Sequence, residues 1–209
     1  MAVNLLPACF AALRATGDPR GDVRRFLLAA ERPDTLRHVS RVAAAGRRLA
    51  RRLGLPLGPV TLAAMAHDLA AVTPLSRILT TAEALGVPLS AADRAIPQVV
   101  HGAVAAAVLR QALGVDDAEV LNAVTYHTTL RAGASAVEQL VFVADKLAYD
   151  PTATALGYHP ALWAARDTAS LPDLCRLYLD WVVRECPALG WRLHPHLLAA
   201  WQALTPPRA

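Results

Sequence analysis

The stretch 34–54, DTLRHVSRVAAAGRRLARRLG, decides the fold. At about 100° per residue, Val42, Ala45, Leu49 and Leu53 fall within about 60° of His38, while Arg47 and Arg51 point roughly the other way. The segment reads as an amphipathic helix with Asp34 as its N-cap and Gly54 as its stop. Its apolar stripe has to be covered by other helices, and His38 lies on that inner face. A buried imidazole needs a partner for each ring nitrogen it presents. Alone, His38 reads as a core histidine bonded to a carbonyl before it reads as a ligand.

Working outward, helical signals recur and strand signals do not. Pro59 suits a first helical position, and that helix should end near 68–72, before Pro74. Further helices are expected at about 74–85, 97–113, 117–129, 135–149, 160–167, 171–186 and 195–204, with breaks at Gly86, Gly114, Gly133 and Gly157. No alternation of period two is long enough for a sheet, and no repeat or low-complexity tract interrupts the pattern. The fold class is therefore all-α, a single-domain helical bundle with peripheral N- and C-terminal helices. Its organisation is expected to be 1–30 as an N-terminal extension, 31–150 as the core and 151–209 as a C-terminal segment. The C-terminal segment could pack on the bundle or form a homodimer contact.

Composition narrows the class. The chain has 209 residues, 55% hydrophobic and 18% charged, enough to bury one sizeable core and too apolar for disorder. No run of about 18 apolar residues lacks a charge or a breaker, which excludes a transmembrane helix. The start, MAVNLLPACFAALR, has no basic residue ahead of its short apolar stretch, which argues against a secretory leader. Cys9, Cys175 and Cys186 have neither metal nor disulfide spacing and fit a reducing cytoplasm. The net charge is +4, with 11 arginines against four acids in residues 1–60. The densest group, Arg47, Arg48, Arg51 and Arg52, is the solvated face of a helix before it is a nucleic-acid surface, and no helix-turn-helix pattern supports the latter.

The chemistry comes from residues that break the apolar pattern. AMAHDLA carries His67 and Asp68, QVVHGAV carries His101, VTYHTT carries His127, and VFVADKLAYD carries Asp145. With His38 these make four imidazoles and two carboxylates, each in an otherwise apolar helical segment and about one helix or helix pair apart. A bundle could bring all six to one point, where they would form a donor set for Fe, Mn or Zn. Burying Asp68 and Asp145 as bare ions would cost several kcal/mol each, and a cation removes that penalty. His159, His194 and His196, beside prolines in loop-like sequence, read as surface histidines. Trp163, Trp181, Trp191 and Trp201 read as packing residues.

The order His, His-Asp, His, His, Asp over about residues 34–150 resembles the HD superfamily of metal-dependent phosphohydrolases. The segments LRHVSRVAAAGRRLA, LAAMAHDLA, HGAVAAAVLRQALG, VLNAVTYHTT and VEQLVFVADKL are most similar to its YqeK-type branch, the bacterial symmetrical diadenosine tetraphosphate hydrolases. The resemblance implies a hydrolase acting on a nucleotide or dinucleoside polyphosphate and releasing two ADP from the diadenosine substrate. It implies His38, His67, Asp68 and Asp145 around a first metal, and His101 and His127 completing a second, with Asp68 bridging. It implies two metal ions, iron first and manganese second, with attack by a metal-bridging hydroxide. Asp68, His101 and His127 would then be the catalytic residues.

The sequence departs from that branch at several places. Ala71 stands where HD-x-x-K has its lysine, Leu130 replaces the glycine after YHTT, and LAYDPTATALGYHP replaces the Ile-Glu-Pro and arginine that follow ADK. The metal shell looks intact while the substrate shell is altered. Arg41, Arg131 and Lys146 are the candidates for phosphate contact, with Asp150 also nearby. Two alternatives share the donor set: a mixed-valent di-iron oxygenase of the same superfamily, and a degenerate member that binds metal and nucleotide without turnover.

Overall fold

The helix built from LGPVTLAAMA has no polar face, and a helix apolar all round belongs in the interior. The computed structural model, which describes residues 6–148 and 159–205, puts it there. In chain order the α-helices are α1 (Pro19–Ala29), α2 (Pro33–Leu53), α3 (Leu57–Ala66), α4 (Ile78–Ala84), α5 (Ala91–Ala95), α6 (His101–Leu113), α7 (Ala118–Thr125), α8 (Ala136–Leu147), α9 (Pro160–Ala165), α10 (Leu171–Glu185) and α11 (Pro195–Leu204). No strand occurs among the described residues. The central α3 packs against α1, α2, α7 and α8, and α7 packs in turn on α6 and α8.

The flanking helices join the same core. From α1, Val23, Phe26 and Leu27 are buried in it. From the C-terminal side, α10 packs on α8 and α11 on α10, burying Leu174, Leu179 and Leu197. Trp163, Trp181 and Trp201 are partly buried against this core, whereas Trp191 is exposed. No helix of the described residues is long and apolar enough to cross a membrane.

Several expected boundaries move. Asp34 is not the N-cap of α2: Arg32 takes that place two residues earlier, Pro33, whose fixed φ suits the first helical position, starts the helix, and Asp34 lies in its first turn paired with Arg37. Likewise α3 begins at Leu57, two residues before Pro59. The helices expected at 74–85 and 97–113 each open with a 3-10 turn, Leu75–Arg77 and Pro97–Val100, before α4 and α6 proper. The unexpected α5 starts at Ser90, whose hydroxyl accepts from the Asp93 N–H while the Asp93 carboxylate accepts from the Ser90 N–H. Gly157, Asp150 and the departures from position 149 onward lie outside the described residues.

His159 and His194 are buried, contrary to their reading as surface residues. Each is an N-cap whose Nδ1 accepts a backbone N–H, from Leu162 in α9 and from His196 in α11. A proline at the following position removes a competing donor there, which explains the His-Pro pairs. His196 is exposed, as expected.

Candidate metal centre

Each expected donor is delivered by the end or inner face of a helix. His38 projects from the inner face of α2, and Asp145 from the last turn of α8, nearly all of which is buried. His67 caps the C-terminus of α3, and the backbone then leaves the helix at Asp68. His101 is the first residue of α6, and His127 lies in the turn after α7. The bundle brings all six together.

Three of the rings are oriented by the same device. Nδ1 donates to a main-chain carbonyl three residues back: His67 to Ala64 at 2.8 Å, His101 to Gln98 at 2.6 Å, and His127 to Val124 at 2.8 Å. A carbonyl only accepts, so the proton of each neutral ring sits on Nδ1 and the Nε2 lone pair faces inward. His67 Nε2 lies 3.3 Å from His38 Nε2, and His101 Nε2 lies 2.9 Å from His127 Nε2, with the Thr128 hydroxyl 3.1 Å from the latter.

The carboxylates interleave with these nitrogens. Asp145 Oδ1 is 3.0 Å from His38 Nε2 and 3.6 Å from His67 Nε2, while its Oδ2 receives the Lys146 ammonium at 2.6 Å. Asp68 turns one oxygen to each histidine pair: Oδ2 is 3.6 Å from His38 and 3.5 Å from His67, and Oδ1 is 3.2 Å from His101 and 3.8 Å from His127.

The charges follow from this packing. Burial opposes ionisation of both carboxyls. The histidines overcome it at Asp68, and Lys146 with His38 and His67 overcomes it at Asp145, so both stay well below the usual carboxylate range. Burial also opposes a charged His67, yet Asp68 and Asp145 lift that ring to about 9. His127 is driven well down, first by burial and then by repulsion from His101 and His67. Without a metal ion, the cluster therefore holds a proton among donors that face one another.

This donor set fits a metal. Inward-facing ring nitrogens need a positive charge between them, which a single proton supplies to one pair only and a metal ion supplies to all of its ligands. Separations near 3 Å are those of neighbouring ligands about 2.1 Å from a common ion. Two groups have ligand atoms all within 4.8 Å of one another, His38 with His67 and Asp145, and His67 with Asp68 and His127, and each could hold an ion. The side chains of His38, Asp68 and His101 are 16%, 24% and 25% exposed, whereas those of His67, Asp145 and His127 are buried. Those three residues thus define the open side of the cluster.

The substrate candidates fare differently. Arg41 is exposed and lines a surface groove with Arg24, Leu36, Arg37 and Ser40. The Arg131 guanidinium is taken by the buried Glu138 through two hydrogen bonds of 2.6 and 2.7 Å. Lys146 is buried, so its ammonium faces Asp145 and not an incoming phosphate. Ala71 is exposed on the 3-10 turn after Asp68. Leu130 has φ +58, the left-handed backbone that favours glycine. One positioning residue escaped the sequence reading. A Cβ on Gly102 would lie 2.5 Å from Thr125 O and 2.7 Å from Val124 O, so only glycine lets α6 approach the end of α7 this closely.

A helical bundle with inward imidazoles and carboxylates around an open cation site has the architecture of a metal-dependent hydrolase. The chain belongs to the HD domain family, whose model matches residues 35–150, and it is a hydrolase of that type. An uncharacterized protein encoded in the pepC 5′ region of Lactococcus lactis subsp. cremoris is 27% identical over 66% of this chain and 69% of its own. The symmetrical bis(5′-nucleosyl)-tetraphosphatase of Bacillus subtilis (strain 168) is 31% identical over 46% of this chain, a match spanning about half (52%) of that enzyme. The fold is that of a predicted HD superfamily hydrolase involved in NAD metabolism from Clostridium acetobutylicum, at TM-score 0.79 and 24% identity, covering 88% of this chain and 95% of that one.

Proposed function

We propose that this chain is a metal-dependent phosphohydrolase that cleaves a phosphoanhydride or phosphoester bond of a nucleotide, with symmetrical dinucleoside tetraphosphates cleaved to two nucleoside diphosphates as its leading substrate. The observation that carries the reading is the position of Asp68, with one oxygen toward His38 and His67 and the other toward His101 and His127. That geometry supports a pair of metal ions. His38, His67, Asp68 and Asp145 would hold the first, and His101, His127 and Asp68 the second. Iron is the first choice of occupant and manganese the second, since imidazole and carboxylate donors suit both. Such a pair supplies Lewis acidity and offsets phosphoryl charge.

The chain's own residues do the rest. The carbonyls of Ala64, Gln98 and Val124 fix the tautomers of His67, His101 and His127, so their lone pairs are ready without reorganisation. Asp68 and His101, on the open side, meet the substrate first, with His127 directly beneath, and these are the catalytic residues. Arg41 is the phosphate-contact candidate, because Arg131 and Lys146 are committed to Glu138 and Asp145. On this reading the metal-binding core would be 31–150, with 1–30 and 151–209 as its N- and C-terminal extensions in sequence, and the three free cysteines suit a cytoplasmic protein.

The test is anaerobic reconstitution with Fe(II) or Mn(II), followed by a screen of nucleotides and dinucleoside polyphosphates for release of phosphate or nucleoside diphosphate. Diadenosine tetraphosphate should yield ADP alone. Asp68→Asn should abolish that release, and turnover with manganese in the absence of oxygen would exclude an oxygenase. Metal-loaded protein inert toward every phosphate ester and anhydride would overturn the reading.

A further inference from the structure

Lys146 is the chain's single lysine, and it lies where lysines rarely lie, 5% exposed inside the bundle. Its Nζ is 2.6 Å from Asp145 Oδ2 and also donates to the main-chain carbonyl of His127 at 3.3 Å. The first contact fixes a donor of the His38 side of the cluster, and the second holds the turn that carries a donor of the His101 side. The ammonium lies 5.1 Å from the ring centre of Phe142 and 5.6 Å from that of Tyr178, which α10 supplies from the C-terminal segment. The aromatic faces replace part of its lost hydration with favourable charge–quadrupole attraction.

We propose that Lys146 is a positioning residue for the metal centre, and that Tyr178 completes it by sealing the ion pair from water. This rests on the metal-site reading above. By engaging Oδ2, the ammonium leaves Asp145 Oδ1 directed at His38 and His67, the orientation a ligand oxygen requires. The same cation ties α8 to the turn after α7, so the two halves of the donor set keep their spacing. This gives α10 a function in the centre: it closes the wall behind Asp145.

The experiment is a Co(II) titration of the full chain, followed by its visible absorption spectrum, without substrate. Lys146→Met should bind Co(II) at least about tenfold more weakly, the scale of losing an outer partner of a ligand, with an altered spectrum. Once the protein is saturated with metal, KM for the substrate should stay unchanged while kcat falls. Tyr178→Ala should weaken Co(II) in the same direction, and Tyr178→Phe should not, since the ring and not the hydroxyl does the sealing. If Lys146→Met does not fold, Lys146→Arg keeps the charge and should hold Co(II) within about threefold of wild type. Normal Co(II) affinity and spectrum in Lys146→Met, or a raised KM alone in either variant, would overturn the proposal. Failure of the wild-type chain to bind Co(II) would instead overturn the metal-site reading beneath it.

Discussion

His101 Nε2 and His127 Nε2 lie 2.9 Å apart, while each ring donates its Nδ1–H to a carbonyl of its own segment. Two ring nitrogens that face each other at that distance need a positive charge between them, and a shared cation supplies it by ligation. His127→Ala should therefore lower bound metal from two ions to one per chain, because His38, His67 and Asp145 remain as a separate group. Metal analysis after reconstitution and gel filtration measures this. Two ions in the variant would remove His127 from the centre.

Gly102, beside His101, lets α6 lie against the end of α7 that leads into His127. A methyl group there meets two carbonyl oxygens of the α7 turn, and backbone cannot step aside as a side chain can. Gly102→Ala should cost about 1–3 kcal/mol, the usual price of overpacking a tight contact. It should also weaken metal binding, because α6 must withdraw and take His101 with it. Denaturant unfolding of the metal-free protein and a metal titration separate the two effects.

How much of this was legible depended on whether a residue's environment was local. The helix carrying His38 announces itself by period, and the six donors stand out because each interrupts an apolar run. Gly102 could not be recognised, because its constraint comes from two carbonyls at the far end of the next helix, which no local pattern around position 102 reveals. Lys146 was misread for the opposite reason: a lysine beside an aspartate is normally solvated, and only the aromatic wall brought by α10 permits its burial. His194 depended similarly on Asp93 of the short α5, 3.3 Å away. The Ser90-x-x-Asp93 capping box that builds that helix was visible in the sequence but easily passed over in a helix of five residues.

Metal affinity should rise with pH. In the metal-free protein, Asp68 and Asp145 outweigh burial and hold a proton on His67 up to about 9. A metal ion has to displace it, so below about 9 apparent affinity should increase about tenfold per pH unit from this group, and above 9 its contribution should level off. His127 adds nothing to the slope, since burial and its histidine neighbours already keep it neutral. Mn(II) titrations at about pH 7 and pH 8 measure the slope directly. An affinity independent of pH across that interval would contradict the assignment of His67 as a ligand.

Leu130 sets a backbone preference against a packing preference. Its φ of +58 lies in the left-handed region, where a non-glycine residue costs about 1–3 kcal/mol. Its side chain is 1% exposed within the core, and truncating a buried leucine to alanine costs about 2–5 kcal/mol. Leu130→Gly recovers the first quantity and loses at least the second, together with the entropy of a freer unfolded chain. The variant should be less stable by about 1–3 kcal/mol, so packing decides at this position. Because Leu130 directly follows the His127–Thr129 turn, the looser backbone should also weaken metal binding. Chemical denaturation with and without Mn(II) tests both statements. A more stable Leu130→Gly protein would mean that backbone strain, and not the buried side chain, dominates the energetics of this turn.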